Sequence, residues 1–210
     1  QPKMVYISNP TEVGTIYSKA ELTALSETCH KYGLYLFLDG ARLGYGLAAP
    51  DNDLTLPEIA ALCDVFYIGG TKVGALFGEA VVIKNPELAQ DFRYLIKQNG
   101  GMLAKGRLLG LQFDALFTDG LYQEISAHAI AMAEKLREAF TAKGYNYLAP
   151  NRTNQIFVIV PDAHLAKISE QFEYSYDQRI DATHSCVRFC TSWATKEENV
   201  DALIRCVEKL

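Results

Sequence analysis

The sequence predicts an α/β protein in which a mostly parallel sheet is followed by a smaller α+β unit. Two observations give this prediction. In the first part of the chain, short apolar runs alternate with segments whose apolar residues recur at helical spacing, which is typical of a parallel sheet. In the last third, strand-like and helix-like segments follow each other without that regular alternation. We therefore expect a large domain with a mostly parallel sheet and a smaller α+β C-terminal domain.

The first part of the chain contains the pattern of four buried strands and two helices. Ser18, with Glu21 at the capping-box position, opens a helix that Gly33 ends. Residues 40–53 are predicted to be a long loop, and a short helix begins in residues 55–63. The predicted strands are residues 3–8 (KMVYIS), 34–39 (LYLFLD), 64–70 (DVFYIGG) and 78–84 (GEAVVIK).

The second part begins with a helical pattern from Pro86 to Phe117, interrupted at residues 99–101. A break at TDG places a domain boundary near residues 118–125, so we predict a large domain at 1–120 and a small α+β domain at 121–210. The last helix is predicted to open at Thr195, with Glu198 completing a capping box. The predicted elements of the small domain are a helix at about 126–143, a strand at 155–160, a helix at 163–172, strands at 174–182 and 186–192, and the final helix.

Composition limits the classes of partner. The net charge of −5 is spread along the chain without a basic run, so the sequence predicts no nucleic-acid partner. No apolar stretch is long enough for a membrane span. Five cysteines without a C-x-x-C motif predict reduced, packing residues, a cytoplasmic protein and no metal site. The chain begins at Gln1 and reaches a strand almost at once, so we expect further residues upstream.

Two residues of opposite charge follow predicted strands. Ligands bind at the carboxyl ends of the strands in parallel α/β sheets, and both Asp39 and the GGTK turn that carries Lys72 lie at such ends. A lysine in a turn usually extends into water. The buried flanking strands instead predict a desolvated Lys72 with a lowered pKa, which would be a nucleophilic amine suited to Schiff-base chemistry.

Asp39 and Arg42 allow simpler interpretations as well. Asp39 could cap the turn that follows its strand, and Arg42 could pair with Asp39 or be held for an anion. The combination of a strand-end carboxylate with a strand-end lysine suggests pyridoxal phosphate. This cofactor needs an amine for its aldehyde and a carboxylate that keeps its pyridine nitrogen protonated.

Four segments in order give a specific resemblance: SNPTEVGTIYS, LFLDGARLGYGL, IGGTKVGALFGEAVVI and VRFCTSWATKEENVDAL. They resemble the threonine aldolase (β-eliminating lyase) family of fold-type I pyridoxal phosphate enzymes. The resemblance implies that residues 1–120 are the C-terminal part of an aspartate-aminotransferase-like, pyridoxal-phosphate-binding large domain. It also implies a homo-oligomer, dimer or tetramer, with a small amino acid as substrate.

The resemblance assigns roles to residues. Lys72 matches the lysine that holds the cofactor aldehyde, and Asp39 matches the carboxylate that faces the pyridine nitrogen. Arg42 and Arg188 match the arginines that hold the substrate carboxylate, and Arg42 also lies at the cofactor. The remaining matches are Thr71, whose hydroxyl can reach the phosphate, and Lys97, a basic position near the site. The family's phosphate cup, its ring-stacking residue and the base for the substrate hydroxyl have no match and are expected upstream.

The function implied by the resemblance is cleavage of β-hydroxy-α-amino acids, L-threonine or allo-threonine, to glycine and an aldehyde. Another fold-type I reaction, β-elimination or transamination, uses the same lysine and aspartate and stays open. A non-catalytic fragment or pairing module that lacks half of the site is the hypothesis from a different class. A nucleotide-binding domain lacks support, because neither G-x-G-x-x-G nor G-K-[ST] follows a strand.

Overall fold

The strands form two separate four-stranded sheets in the computed structural model, which describes residues 1–210. The first sheet has the order β1-β2-β3-β4, in which β1, β2 and β3 are parallel and β4 runs antiparallel to β3. This confirms the predicted α/β class with a mostly parallel sheet. Its strands are β1 (Met4–Ser8), β2 (Tyr35–Asp39), β3 (Val65–Gly69) and β4 (Glu79–Ile83).

The second sheet is antiparallel throughout and has the order β5-β6-β8-β7. A β-bulge interrupts the pairing of β7 with β8 between Tyr176 and Gln178. The strands are β5 (Asn146–Tyr147), β6 (Gln155–Pro161), β7 (Ser175–Arg179) and β8 (His184–Cys190).

Nine helices complete the fold, and none combines the length and apolar composition that crossing a membrane requires. Capping explains the start of α1, because Ser18 Oγ accepts from the Glu21 amide while the Glu21 carboxylate accepts from the Ser18 amide. The helices are α1 (Lys19–Lys31), α2 (Leu43–Leu47), α3 (Leu56–Leu62), α4 (Pro86–Ala89), α5 (Phe92–Gln98), α6 (Arg107–Phe117), α7 (Leu121–Ala142), α8 (Asp162–Ile168) and α9 (Glu197–Glu208).

Three predictions about helices were wrong. Helix α2 lies inside the segment predicted as a loop, and α7 begins at Leu121 rather than at residue 126. Helix α9 begins at Glu197 with no side-chain cap, because the Thr195 hydroxyl instead accepts a hydrogen bond from the Ser192 amide at 2.8 Å. The predicted Thr195–Glu198 capping box is therefore absent.

Each sheet has its own hydrophobic core, and α7 contributes to both. A core of 18 buried residues lies between the first sheet and its helices, and one of 14 lies between the second sheet, α8, α9 and α7. Tyr122, Ala129 and Ile130 of α7 belong to the first core. Further along the same helix, Met132, Ala133, Leu136 and Phe140 belong to the second core.

Candidate functional site

The loops that follow β2 and β3 are in direct backbone contact at one edge of the first sheet. The Gly69 amide donates to the Gly40 carbonyl at 2.9 Å. A Cβ atom at Gly69 would lie 2.3 Å from the Ala41 carbonyl oxygen, and one at Gly40 would lie 2.0 Å from the Tyr67 carbonyl oxygen. Only glycine permits this approach. The contact brings the loop after Asp39 against the turn that carries Lys72.

Buried tyrosine hydroxyls hold the two loops in place. The Tyr122 hydroxyl donates to the Gly69 carbonyl at 2.9 Å and accepts from the Gly44 amide at 3.1 Å. The Tyr45 hydroxyl donates to the Lys72 carbonyl at 2.5 Å. It also accepts from the amide of Trp193, in the second part of the chain, at 3.2 Å. The backbone at Lys72 is thereby joined to both halves of the protein.

Asp39 is a partly buried carboxylate with several donors. Its Oδ1 accepts from the Ala41 amide at 2.9 Å, and its Oδ2 accepts from the Tyr6 hydroxyl. Burial alone would raise the pKa of the Asp39 carboxyl. The hydrogen bonds from Tyr6, Tyr67 and the Ala41 amide, together with the positive charge of Lys72, lower this pKa below its ordinary value. Asp39 is therefore ionised at neutral pH. Lys72 lies close enough for its positive charge to contribute to the lowered pKa of the carboxyl.

Tyr6 reaches Asp39 from the neighbouring strand. Residues 4–8 pair in register with residues 35–39, so Tyr6 lies opposite Phe37 and diagonal to Asp39. Its hydrogen bond to the carboxylate raises the pKa of the Tyr6 hydroxyl to about 12. This partner of Asp39 is not among the site residues predicted from the sequence. The alternation of side chains along β1 is the signal that could have placed Tyr6 on the same face as Asp39.

The predicted desolvation of Lys72 is wrong for this chain. Both Lys72 and Thr71 are exposed, although Val73 of the same turn is buried in the first core. The Thr71 hydroxyl contacts the Gly78 carbonyl at 3.4 Å. Lys97 is exposed in the last turn of α5 and makes no ion pair with the residues of the site. The Lys72 amine thus stands at an open surface rather than in a closed pocket.

Arg188 of β8 is half-buried, and no carboxylate lies within ion-pair distance of it. Its Nη1 donates to Gln155 Oε1 at 3.3 Å and its Nη2 to Ser175 Oγ at 3.4 Å. The guanidinium carbon lies 5.9 Å from the centre of the Phe157 ring. The buried Nε has no hydrogen-bond partner. An uncompensated guanidinium with an unused donor is suited to an incoming anion.

The charges of both Arg42 and Arg188 act on the Cys190 thiol. Desolvation raises the pKa of the Cys190 thiol, and the positive charges of Arg188 and Arg42 oppose that rise. Arg42 forms no ion pair with Asp39, so the simple pairing considered from the sequence does not occur. A cavity of about 340 Å³ lies beside Arg188 and Cys190, among residues of the second sheet, α7 and α9.

Similarity to known proteins independently supports the family that the sequence motifs predict. Residues 1–163 match the family described as "Beta-eliminating lyase". The chain is 33% identical, over 207 residues, to the low specificity L-threonine aldolase of Pseudomonas sp. (strain NCIMB 10558), a match that covers 97% of this chain and 58% of that protein. A structure of threonine aldolase from Leishmania major has a TM-score of 0.97 and 45% identity, over 99% of this chain and 61% of that one.

The likeness extends to more distant structures. A mutant aspartate aminotransferase from Thermus thermophilus matches with a TM-score of 0.69 and 17% identity, over 99% of this chain and 57% of that one, which bears on the fold alone. The predicted aspartate-aminotransferase-like, fold-type I architecture is therefore confirmed. The chain spans about three-fifths of the length of these relatives.

Proposed function

Because the chain belongs to the beta-eliminating lyase family, we propose that it forms part of a pyridoxal-phosphate-dependent aldolase. The reaction is cleavage of a β-hydroxy-α-amino acid, L-threonine or allo-threonine, to glycine and an aldehyde. One observation carries the proposal: an ionised carboxylate, Asp39, and an amine, Lys72, share one sheet edge closely enough for the lysine charge to lower the pKa of the carboxyl. The names of the relatives from Pseudomonas and Leishmania support the choice of reaction.

The residues present fit the cofactor. Asp39 is held ionised, as a partner for a protonated pyridine nitrogen must be. Lys72 and its chain neighbour Thr71 are both exposed, which leaves the amine open to an aldehyde and the hydroxyl open to a phosphate. Arg42, in the loop after β2, is the remaining residue of this proposed cofactor site. When bound, pyridoxal phosphate supplies an aldehyde carbon for amines and an electron-withdrawing ring.

The residues of this chain have separate tasks in the proposed reaction. Asp39 would accept a charge-assisted hydrogen bond from the protonated pyridine nitrogen of the cofactor. Lys72 Nζ would provide the amine that holds the cofactor aldehyde. Arg42 and Arg188 bind the substrate carboxylate from opposite halves of the protein, so that the Cα–Cβ bond takes one fixed orientation.

We also propose a cytoplasmic homo-oligomer, either a dimer or a tetramer. All five cysteines are free, which suits a reducing compartment. Large apolar side chains are exposed on the first sheet, including Met4 at 50%, Tyr6 at 55% and Val81 at 50%. Such a surface is typical of a protein that buries it against further polypeptide.

The test uses the full-length protein that contains this chain. After incubation with pyridoxal phosphate and borohydride reduction, peptide mapping is expected to find the adduct at Lys72. Lys72→Ala should abolish formation of glycine and acetaldehyde from L-threonine, whereas the matched control Lys84→Ala, exposed after β4, should retain it. An adduct at Lys97, or at the exposed Lys105 between α5 and α6, contradicts the assignment. Release of a keto acid and ammonia would instead favour β-elimination.

A further inference from the structure

We propose that Gln155 is a positioning residue, which holds the Arg188 guanidinium where it can bind the carboxylate of the substrate. The inference rests on the proposed function and adds a residue to it. Gln155 is the first residue of β6 and is 1% exposed. A buried side-chain amide must use its donors and acceptor within the protein. The partners it uses therefore indicate its role.

The two ends of the Gln155 amide face different halves of the protein. Its Nε2 contacts the carbonyl oxygen of Glu12, in the loop after β1, at 3.5 Å. Its Oε1 accepts from Arg188 Nη1 at 3.3 Å. Since a carbonyl oxygen can only accept, Glu12 fixes the amide with its nitrogen towards the first sheet. The Oε1 atom is then left to accept from Arg188, and the weak thiol donor of Cys190 is its other contact, at 3.9 Å.

The segment leading into β6 is anchored to the same loop by two further contacts. Asn151 Nδ2 donates to the Val13 carbonyl at 2.7 Å, and Thr153 Oγ1 donates to the Gly14 carbonyl at 2.9 Å. A Cβ atom at Gly14 would lie 2.7 Å from Thr153 Oγ1, so the contact is close. Residues 151, 153 and 155, of which only the last belongs to β6, thus contact three successive carbonyls of one loop. Gln155 is fixed by this arrangement before any substrate binds.

The neutral charge of Gln155 matters as much as its position. An amide oxygen orients a guanidinium without cancelling its charge, whereas a carboxylate at the same place would form an ion pair and occupy it. The nearest alternative acceptor, Ser175 Oγ, is also neutral. Arg188 therefore keeps its full positive charge, and its Nε remains without a partner. This is the state that an arginine needs in order to bind a carboxylate.

A purely structural role for Gln155 makes a different prediction. If the amide only joins the two halves of the protein through Glu12, its loss should lower stability and affect every kinetic constant alike. If Gln155 acts through Arg188, its replacement should weaken substrate binding in the wild-type protein. In a variant that already lacks Arg188, the same replacement should weaken substrate binding no further. A double-mutant cycle separates these cases, because residues that act through one contact are not additive.

The experiment compares Gln155→Met, Arg188→Lys and the double variant in the full-length protein loaded with pyridoxal phosphate. Gln155→Met should raise KM for L-threonine by about tenfold, the lower end of the effect of a hydrogen bond to a charged group, with kcat nearly unchanged. In the Arg188→Lys background the same change should have no further effect. Gln178→Met, an exposed glutamine of β7, is the matched control and should leave KM unchanged.

Gln155→Glu is the second variant and is nearly isosteric. It should raise KM more than Gln155→Met does, because the introduced carboxylate competes with that of the substrate for Arg188. Additive effects in the cycle, or equal KM values for the methionine and glutamate variants, would overturn the proposal. So would a fall in kcat with KM unchanged.

Binding of glycine, measured by calorimetry on the same four proteins, separates this inference from the proposed function. If the wild-type protein does not cleave L-threonine, the proposed function fails. The coupling between positions 155 and 188 in glycine binding then decides the inference by itself. Non-additive binding supports the positioning role, and additive binding or the absence of glycine binding by the wild type contradicts it.

Discussion

Replacing Tyr122 with phenylalanine removes one oxygen atom from the interior of the protein. That hydroxyl bridges the Gly44 amide and the Gly69 carbonyl, at 3.1 Å and 2.9 Å. The ring, which is fully buried and stacked on Phe117 at 5.1 Å between centroids, keeps all its apolar contacts in the variant. The change therefore tests the two hydrogen bonds and not the packing.

The expected loss of stability follows from the groups left behind. Each buried polar group that loses its partner costs about 1–3 kcal/mol, and the substitution strands one donor and one acceptor. We expect the free energy of unfolding to fall by about 3 kcal/mol. The loss of the two hydrogen bonds should also affect the backbone near the site, because Gly69 precedes the turn of Lys72 and Gly44 lies in α2.

Urea unfolding of the full-length protein, followed by circular dichroism, gives the free energy directly. Tyr32→Phe is the matched control, since Tyr32 is 67% exposed and its change should alter stability by less than about 0.5 kcal/mol. Faster hydrogen exchange of the Gly44 amide is the local readout. If Tyr122→Phe is as stable as the control, the hydroxyl does not hold the two loops together.

Further predictions concern glycines, acid stability and thiol chemistry. Gly69→Ala, whose Cβ would lie 2.3 Å from the Ala41 carbonyl oxygen, should lower the free energy of unfolding by about 1–3 kcal/mol. Gly110→Ala in α6, with no atom within 4 Å of the new Cβ, should instead raise it by up to about 1 kcal/mol, and equal melting temperatures would contradict both. Because the folded-state pKa of Asp39 lies below its unfolded value, its stabilisation is present above about pH 4 and is lost as pH falls through the folded pKa. Asp39→Asn should therefore flatten the dependence of stability on pH in urea titrations below about pH 4, and parallel curves would refute this. Iodoacetamide should alkylate Cys190 faster as pH rises, since desolvation raises the pKa of its thiol, and saturating glycine should slow the reaction measured by mass spectrometry. If glycine does not change the rate at which Cys190 is alkylated, the carboxylate of glycine binds elsewhere.

The positions of the site residues at strand ends could be predicted from the sequence, because apolar runs define where each strand stops. Asp39 ends β2, and Lys72 lies three residues beyond the end of β3. What surrounds them could not be predicted in the same way. Tyr6 reaches Asp39 from a neighbouring strand, and this contact depends on strand order and register. The exposure of Lys72 likewise depends on what packs over the turn, which local sequence does not encode.

Helix α2 shows why part of the fold was missed. Its sequence, LGYGL, contains two glycines, which have low helix propensity and favour a loop prediction. The structure uses them for close packing instead. A Cβ atom at Gly44 would lie 2.5 Å from Ser126 Oγ, and one at Gly46 would lie 3.0 Å from the Pro10 ring. Tertiary contact therefore outweighs local propensity for this helix.

Helix α7 has a consequence for how the protein loses its structure. Its 22 residues extend over about 33 Å, and they pack against one core near the start and the other near the end. Disruption of either core removes packing contacts from α7, and the remaining core also requires that helix. Melting should therefore be cooperative across both sheets, and limited proteolysis near residues 118–121 should not release a stably folded fragment on either side.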